Sequence, residues 1–139
     1  MELRVGGTVQ HRFKHSTLTT PADPIPDKYR ELAPTDGAAC DFTGHVTRCE
    51  PPRVLAYTWG SPESEVTFEL TPEDTRVRLV LTHRRLGDDK AVLAGVGGGW
   101  HAHLAVLAAR LAGVTPPPFW GTFTRSEAGY AVALAQIKG

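Results

Sequence analysis

At 139 residues the chain has the length of one domain, enough to bury about two-thirds of its unfolded surface in one core without a disulfide or metal to hold it. Its basic and acidic residues, fifteen of each, cancel to a formal net charge of zero, so the positive footprint of a nucleic-acid binder is absent. Cys40 and Cys49 stand too far apart in an extended segment to close a disulfide. No signal-like apolar run and no stretch of membrane-span length is evident, and the expected location is the cytoplasm.

The first predicted element is a short strand holding Val5, Val9 and Phe13, with Gly6-Gly7 as a bulge or kink. A proline-bearing loop over residues 14–39 follows, with room for one helical turn after Pro26. A loop of that length in a compact domain reads as a lid, a rim or a partly mobile segment. From Cys40 the pattern alternates with period two. DFTGHVTRC places Phe42 and Val46 on one face, and PPRVLAYTWG places Leu55, Tyr57 and Trp59 together. EVTFEL contributes Val66, Phe68 and Leu70, and TRVRLVLTH contributes Val77, Leu79, Leu81 and His83. With SPES and TPED as short links, these runs predict an antiparallel meander with one buried face.

The second half changes period. Leu93, Val96, Trp100, Leu104, Leu107 and Leu111 recur at steps of three and four, which fits one helix over residues 89–112, capped by Asp88 or Asp89 and stopped at Gly113. A last helix is expected over residues 126–136. A long helix lying across a curved antiparallel sheet is the simplest arrangement that buries both apolar faces.

Two motifs in the segment GVGGGWHAHLAVLAARLAG suggest chemistry and fail on geometry. His101 and His103 are two apart, so on a helix they point about 160° from each other and cannot share a metal ion. The glycines lack the spacing of a dinucleotide fingerprint, since Trp100 stands where its last glycine is required. Gly95, Gly97, Gly98 and Gly99 instead cost about 1 kcal/mol each in a helix. Close approach to a neighbouring strand, or a kink beside a cavity, would offset that cost. No nucleophile elbow and no Cys-x-x-Cys occurs, and neither a metal nor a cofactor is expected.

GHVTRCEPPRVLAYTWG, SEVTFELTPEDTRVRLVLTHRRL and GWHAHLAVLAARLAG, taken in order, resemble the bacterial homologues of the activator of the ninety-kilodalton heat-shock protein ATPase. That family lies in the START-like (SRPBCC) superfamily. The resemblance runs from about Arg4 to Tyr130 and implies an α+β helix-grip fold, a curved sheet around a long C-terminal helix with a cavity between them for apolar small molecules. Members carry a further edge strand and two short helices before the Gly-Gly strand, so either the start is misplaced, the sequence is trimmed, or the form is a shortened one. Absence of that piece would leave an open sheet edge that invites pairing, and a homodimer completing the sheet is the hypothesis that follows.

On this reading the ligand contacts are Tyr57, Trp59, Phe68, Leu79, Leu81, His83, Trp100, His103 and Leu104. The expected function is binding of a hydrophobic or aromatic small molecule. One alternative is a cyclase- or aromatase-type enzyme using His83 as base and Tyr57 as acid. The other is a chaperone ATPase accessory, disfavoured because the eukaryotic activator makes much of its chaperone contact through a domain with no counterpart here. Nucleic-acid and membrane partners are not expected.

Overall fold

The computed structural model describes residues 1–18, 22–30 and 40–137. Contacts divide the chain into two compact units, one of Met1–Arg12 with Asp41–Leu86 and one of Phe13–Cys40 with Gly87–Gly139.

The first unit is a five-stranded antiparallel sheet in the order β1 (Thr8–Phe13), β2 (Cys40–Glu50), β3 (Val54–Trp59), β4 (Ser61–Glu73) and β5 (Arg76–Arg84), each strand beside its sequence neighbour. The meander expected from the period-two pattern is present, and the register fixes which side chains share a face. Tyr57 pairs with both Val46 and Val66, and Val66 pairs with His83. Leu55 pairs with Phe68, which pairs with Leu81, and Leu70 pairs with Leu79. Directly opposed residues project to the same side of a sheet, so the shared face read from the sequence is present, but it is not buried throughout, for Leu70 and Val77 are exposed. Val9, Val46 and Val66 are its most deeply buried members.

Several boundaries differ from the sequence reading. β1 begins at Thr8, and Val5 lies before it, 65% exposed, because Gly6 turns the chain at φ +78°. The hydrogen bonds from Gly6 N to Val46 O and from Val46 N to Gly7 O carry the pairing with β2 into this turn. SPES and most of TPED are strand residues of β4, not links. The turns are tighter, at Gly60 (φ +71°) and Asp74 (φ +51°). Pro62 and Pro72 are tolerated because they lie near the ends of β4, where a missing N–H costs few ladder bonds.

The second unit is helical. α1 spans Lys90–Leu111, its N-terminus capped by Asp89, whose Oδ1 accepts from Ala91 N at 2.8 Å and Val92 N at 3.4 Å. Gly113 at φ +69° follows its end. α2 spans Phe119–Gln136, seven residues longer at its start than expected. Pro118 supplies no side-chain cap. The cap comes from Asp23, whose Oδ2 accepts from Trp120 N at 2.7 Å and whose Oδ1 accepts from Gly121 N at 2.8 Å. A partner 97 residues away is invisible to local pattern reading.

The glycine run is explained by α2. α1 buries Ala94, Gly98, Ala102 and Val106, a ridge at four-residue spacing. A Cβ on Gly98 would meet Glu127 Cβ at 3.0 Å, its N at 3.1 Å and its Cα at 3.2 Å. The close neighbour is therefore a helix and not a strand. The core of this unit joins Ala102 and Val106 to Phe119, Trp120 and Phe123, with Leu18, Ile25 and Tyr29 packed against them. The anticipated stripe is only partly used, for Leu107 and Leu111 are exposed. The loop expected over residues 14–39 lies partly outside the described residues. What is described of it includes two 3₁₀ turns, His15–Thr17 and Asp27–Tyr29, the second directly after Pro26 as expected.

One sequence expectation needs correction on length: α1 is long and apolar enough to cross a membrane by those two criteria alone, with a mean hydropathy of 1.3 over its best window. Its small-residue ridge packs on α2.

Candidate functional site

One face of the sheet unit carries two chemically different regions. Toward one end lies an aromatic cluster. The His11 ring stacks on Phe42 at 4.5 Å and lies 4.6 Å from Trp59 and 5.1 Å from Tyr57. Phe42 meets Trp59 edge-on at 4.8 Å, and Trp59 meets His83 at 5.8 Å. Such offset and edge-on pairs add about 0.5–1.5 kcal/mol each beyond their burial. Within this cluster Ser64 Oγ and His83 Nε2 share a hydrogen bond of 2.8 Å. Burial lowers the pKa values of His83 and His11, because a charged imidazole loses hydration there. Burial also pushes Tyr57 up to about 12, so its phenol keeps its proton at neutral pH.

Toward the other end lies a cavity of about 310 Å³. Its walls are Leu55, Phe68, Leu70 and Leu79 from β3, β4 and β5, with Cys49, Val54 and the Pro51-Pro52-Arg53 turn around them. Leu3 completes the lining. The surface is almost wholly apolar, and the Pro51-Pro52 bond is cis. The turn is held by hydrogen bonds from Arg53 N to Glu50 O and from Leu70 N to Arg53 O, each 2.8 Å. Cys49 is a free thiol.

The anticipated contacts distribute as follows. Phe68 and Leu79 line the cavity directly. Leu81 pairs with Phe68 on the same face, and Tyr57, Trp59 and His83 belong to the aromatic region. Tyr57 and His83 are separated in register by Val66, so their backbones stand about two strand spacings or roughly 10 Å apart. Trp100, His103 and Leu104 belong to α1 in the helical unit. His103 Nδ1 donates to Gly99 O at 2.8 Å, four residues back. Its ring packs with Phe13, His15 and Phe119. Burial lowers the pKa of His103, and burial together with the nearby His103 lowers His15 to about 4. Among the described residues no three His, Cys, Asp or Glu side chains group as a metal site.

Sequence reading missed Ser64, His11 and the turn residues of the cavity. Ser64 has the parity of Val66, Phe68 and Leu70, and His11 that of Val9 and Phe13. Extending each alternation by one step would have placed both on this face. The cavity at the Pro-Pro turn had no such signal, because its walls come from three strands and a turn that only the fold brings together.

A family profile described as Activator of Hsp90 ATPase homolog 1-like protein matches residues 22–112, more than half of the chain. The solution NMR structure of a protein from Bordetella parapertussis is similar, with a TM-score of 0.72 and 44% sequence identity. The alignment covers 94% of this chain and 66% of that protein, so the chain spans just under two-thirds of its relative's length. No curated protein matches this chain.

Proposed function

The chain belongs to the family of Activator of Hsp90 ATPase homolog 1-like proteins, with an α+β helix-grip fold that generally serves as a scaffold for ligands or cofactors, and from that premise we propose that it is a non-catalytic, cytoplasmic module binding a small apolar or aromatic molecule. The observation that supports this most is the carbon-lined cavity of about 310 Å³ on the sheet, at the lower end of the usual range for ligand pockets. Phe68 and Leu79 are its direct contacts. At about 30 Å³ per water-sized group it takes a ligand of about ten non-hydrogen atoms.

Native mass spectrometry of protein purified without added ligand, with Nile red titration as a second readout, tests the reading. A small bound mass, or saturable dye binding, that Leu79→Trp removes would support it. A folded protein that carries no mass and binds no dye would refute it. The same spectrum reports assembly. β1 and β5 are the two sheet edges, and a dimer mass would fit pairing through one of them.

The Ser64–His83 hydrogen bond favours a second reading, an enzyme of the cyclase type. Burial keeps His83 neutral near pH 7, available as a base. His83→Ala tests it: undiminished turnover of an identified substrate would remove His83 from the chemistry. A role as a chaperone ATPase accessory, which the family description names, predicts stimulation of a heat-shock ATPase on mixing.

A further inference from the structure

We propose that the cavity at the Pro51-Pro52 turn selects carboxylates, taking an aliphatic or aromatic monocarboxylic acid with its apolar body against Leu55, Phe68 and Leu79 and its carboxylate on Arg53. The inference rests on the binding reading above and adds the class of ligand. Arg53 is the one charged residue in the cavity lining among the described residues. It is solvent-exposed, and its guanidinium pairs with no carboxylate among the described residues.

The neighbouring charges are already engaged or face elsewhere. Glu50, three residues before, is held by Arg48 through two contacts, Nε to Oε1 at 2.6 Å and Nη2 to Oε2 at 3.0 Å. That pair keeps Glu50 below its ordinary pKa, so it remains ionised and committed to Arg48. Glu2, beside Leu3, accepts from Thr8 N at 2.8 Å and meets Arg4 at 3.5 Å. Glu69 pairs in register with Val54 and alternates with Phe68, so it projects from the opposite face.

Arg53, without a carboxylate partner among the described residues, thus sets a cationic side chain on the turn that borders the apolar cavity, and its backbone is fixed at both N and O. A planar guanidinium in that position matches a carboxylate in two parallel hydrogen bonds. The chain has no net charge, so a preference for anions must arise locally and not from the overall field.

The test compares octanoate with methyl octanoate, the same chain without the charge, by isothermal titration on the full chain. Wild type is expected to bind octanoate about fivefold more tightly, the size of effect an exposed charge pair gives. Arg53→Gln should equalise the two, and Arg53→Lys should restore part of the preference. Salt at about 1 M should erase it. Leu79→Trp should abolish binding of both ligands while circular dichroism shows a folded chain. Equal binding of acid and ester by wild type would overturn the selectivity and leave the apolar reading standing. A preference that survives Arg53→Gln, or binding that survives Leu79→Trp, would overturn the assignment of the site. Failure of wild type to bind either ligand would overturn the binding reading itself and this inference with it.

Discussion

Gly98→Ala isolates the packing of α1 on α2. In a helix the substitution gains about 1 kcal/mol of propensity. Against that, the new methyl group would stand 3.0–3.2 Å from Glu127 Cβ, N and Cα. Two of those atoms are backbone of α2, so the helix itself must shift, and overpacking of this kind costs about 1–3 kcal/mol. The net expectation is destabilisation of about 1 kcal/mol. Gly129→Ala, on α2 with nothing within 4 Å, is the control, and should stabilise by about 0.5–1 kcal/mol. Gly99→Ala belongs with the control, since its methyl would meet Phe123 Cε2 at an ordinary 3.5 Å. At about 3–4 °C per kcal/mol for a chain of this size, the Gly98 and Gly129 variants should differ in melting temperature by about 5–8 °C, in opposite directions from wild type. Urea unfolding with unchanged m-values would confirm that stability and not compactness has moved. A Gly98→Ala variant as stable as Gly129→Ala would refute the close approach of the two helices and return the glycine run to an unexplained cost.

Asp23→Ala removes both acceptors from the start of α2 and should cost about 1–2 kcal/mol, with Asp23→Asn recovering part of it, read as urea midpoints. His15 is held at about 4 in the folded chain, against 6.5 for the free side chain. The unfolded state therefore binds more protons between those values, so stability is full above about pH 6.5 and is lost as pH falls toward 4. Allowing for the ring's partial exposure, His15 contributes about 1–2 kcal/mol to that loss. The lowered values of His11, His83 and His103 act in the same direction. His15→Phe should flatten the difference in unfolding free energy between pH 7 and pH 4.5, and an unchanged difference would contradict the burial assigned to this ring. Cys49 lines the cavity, so in a Cys40→Ser background saturating octanoate should slow thiol modification several-fold, and an unchanged rate would place the ligand elsewhere.

What the sequence disclosed follows the range of the forces involved. Period-two alternation is a local property, and it placed Leu55, Tyr57, Phe68, Leu79, Leu81 and His83 on one face, as the register confirms. The ends of α1 were legible for the same reason, because Asp89 and Gly113 act within one turn of the helix. The start of α2 was not, because its cap is Asp23, remote in sequence. The partner of the glycine run was not either, since a small-residue ridge says that something approaches without saying what. Parity could have nominated Ser64 but not its bond to His83, because that requires the register between β4 and β5.

β4 shows why the two regions of the sheet face answer to different ligands. Ser64, Val66, Phe68 and Leu70 follow one another on that face, from the hydrogen-bonded imidazole of His83 to the turn at Arg53. At about 3.4 Å per residue, Ser64 and Leu70 stand roughly 20 Å apart along the strand. A ligand that fills only the cavity meets Phe68 and Leu70 and stops well short of Ser64. Its affinity should depend on Arg53 and Leu79 and be indifferent to His83. A molecule that contacts Arg53 and His83 together must instead be an extended chain, lying over Phe68 and Val66. The length dependence of the His83→Ala effect therefore separates the readings. No effect with octanoate, and a loss appearing only with longer chains, would make the Ser64–His83 pair a second polar anchor on one elongated site. No effect at any length would leave the pair to its structural bond, and the cavity as the whole of the binding site.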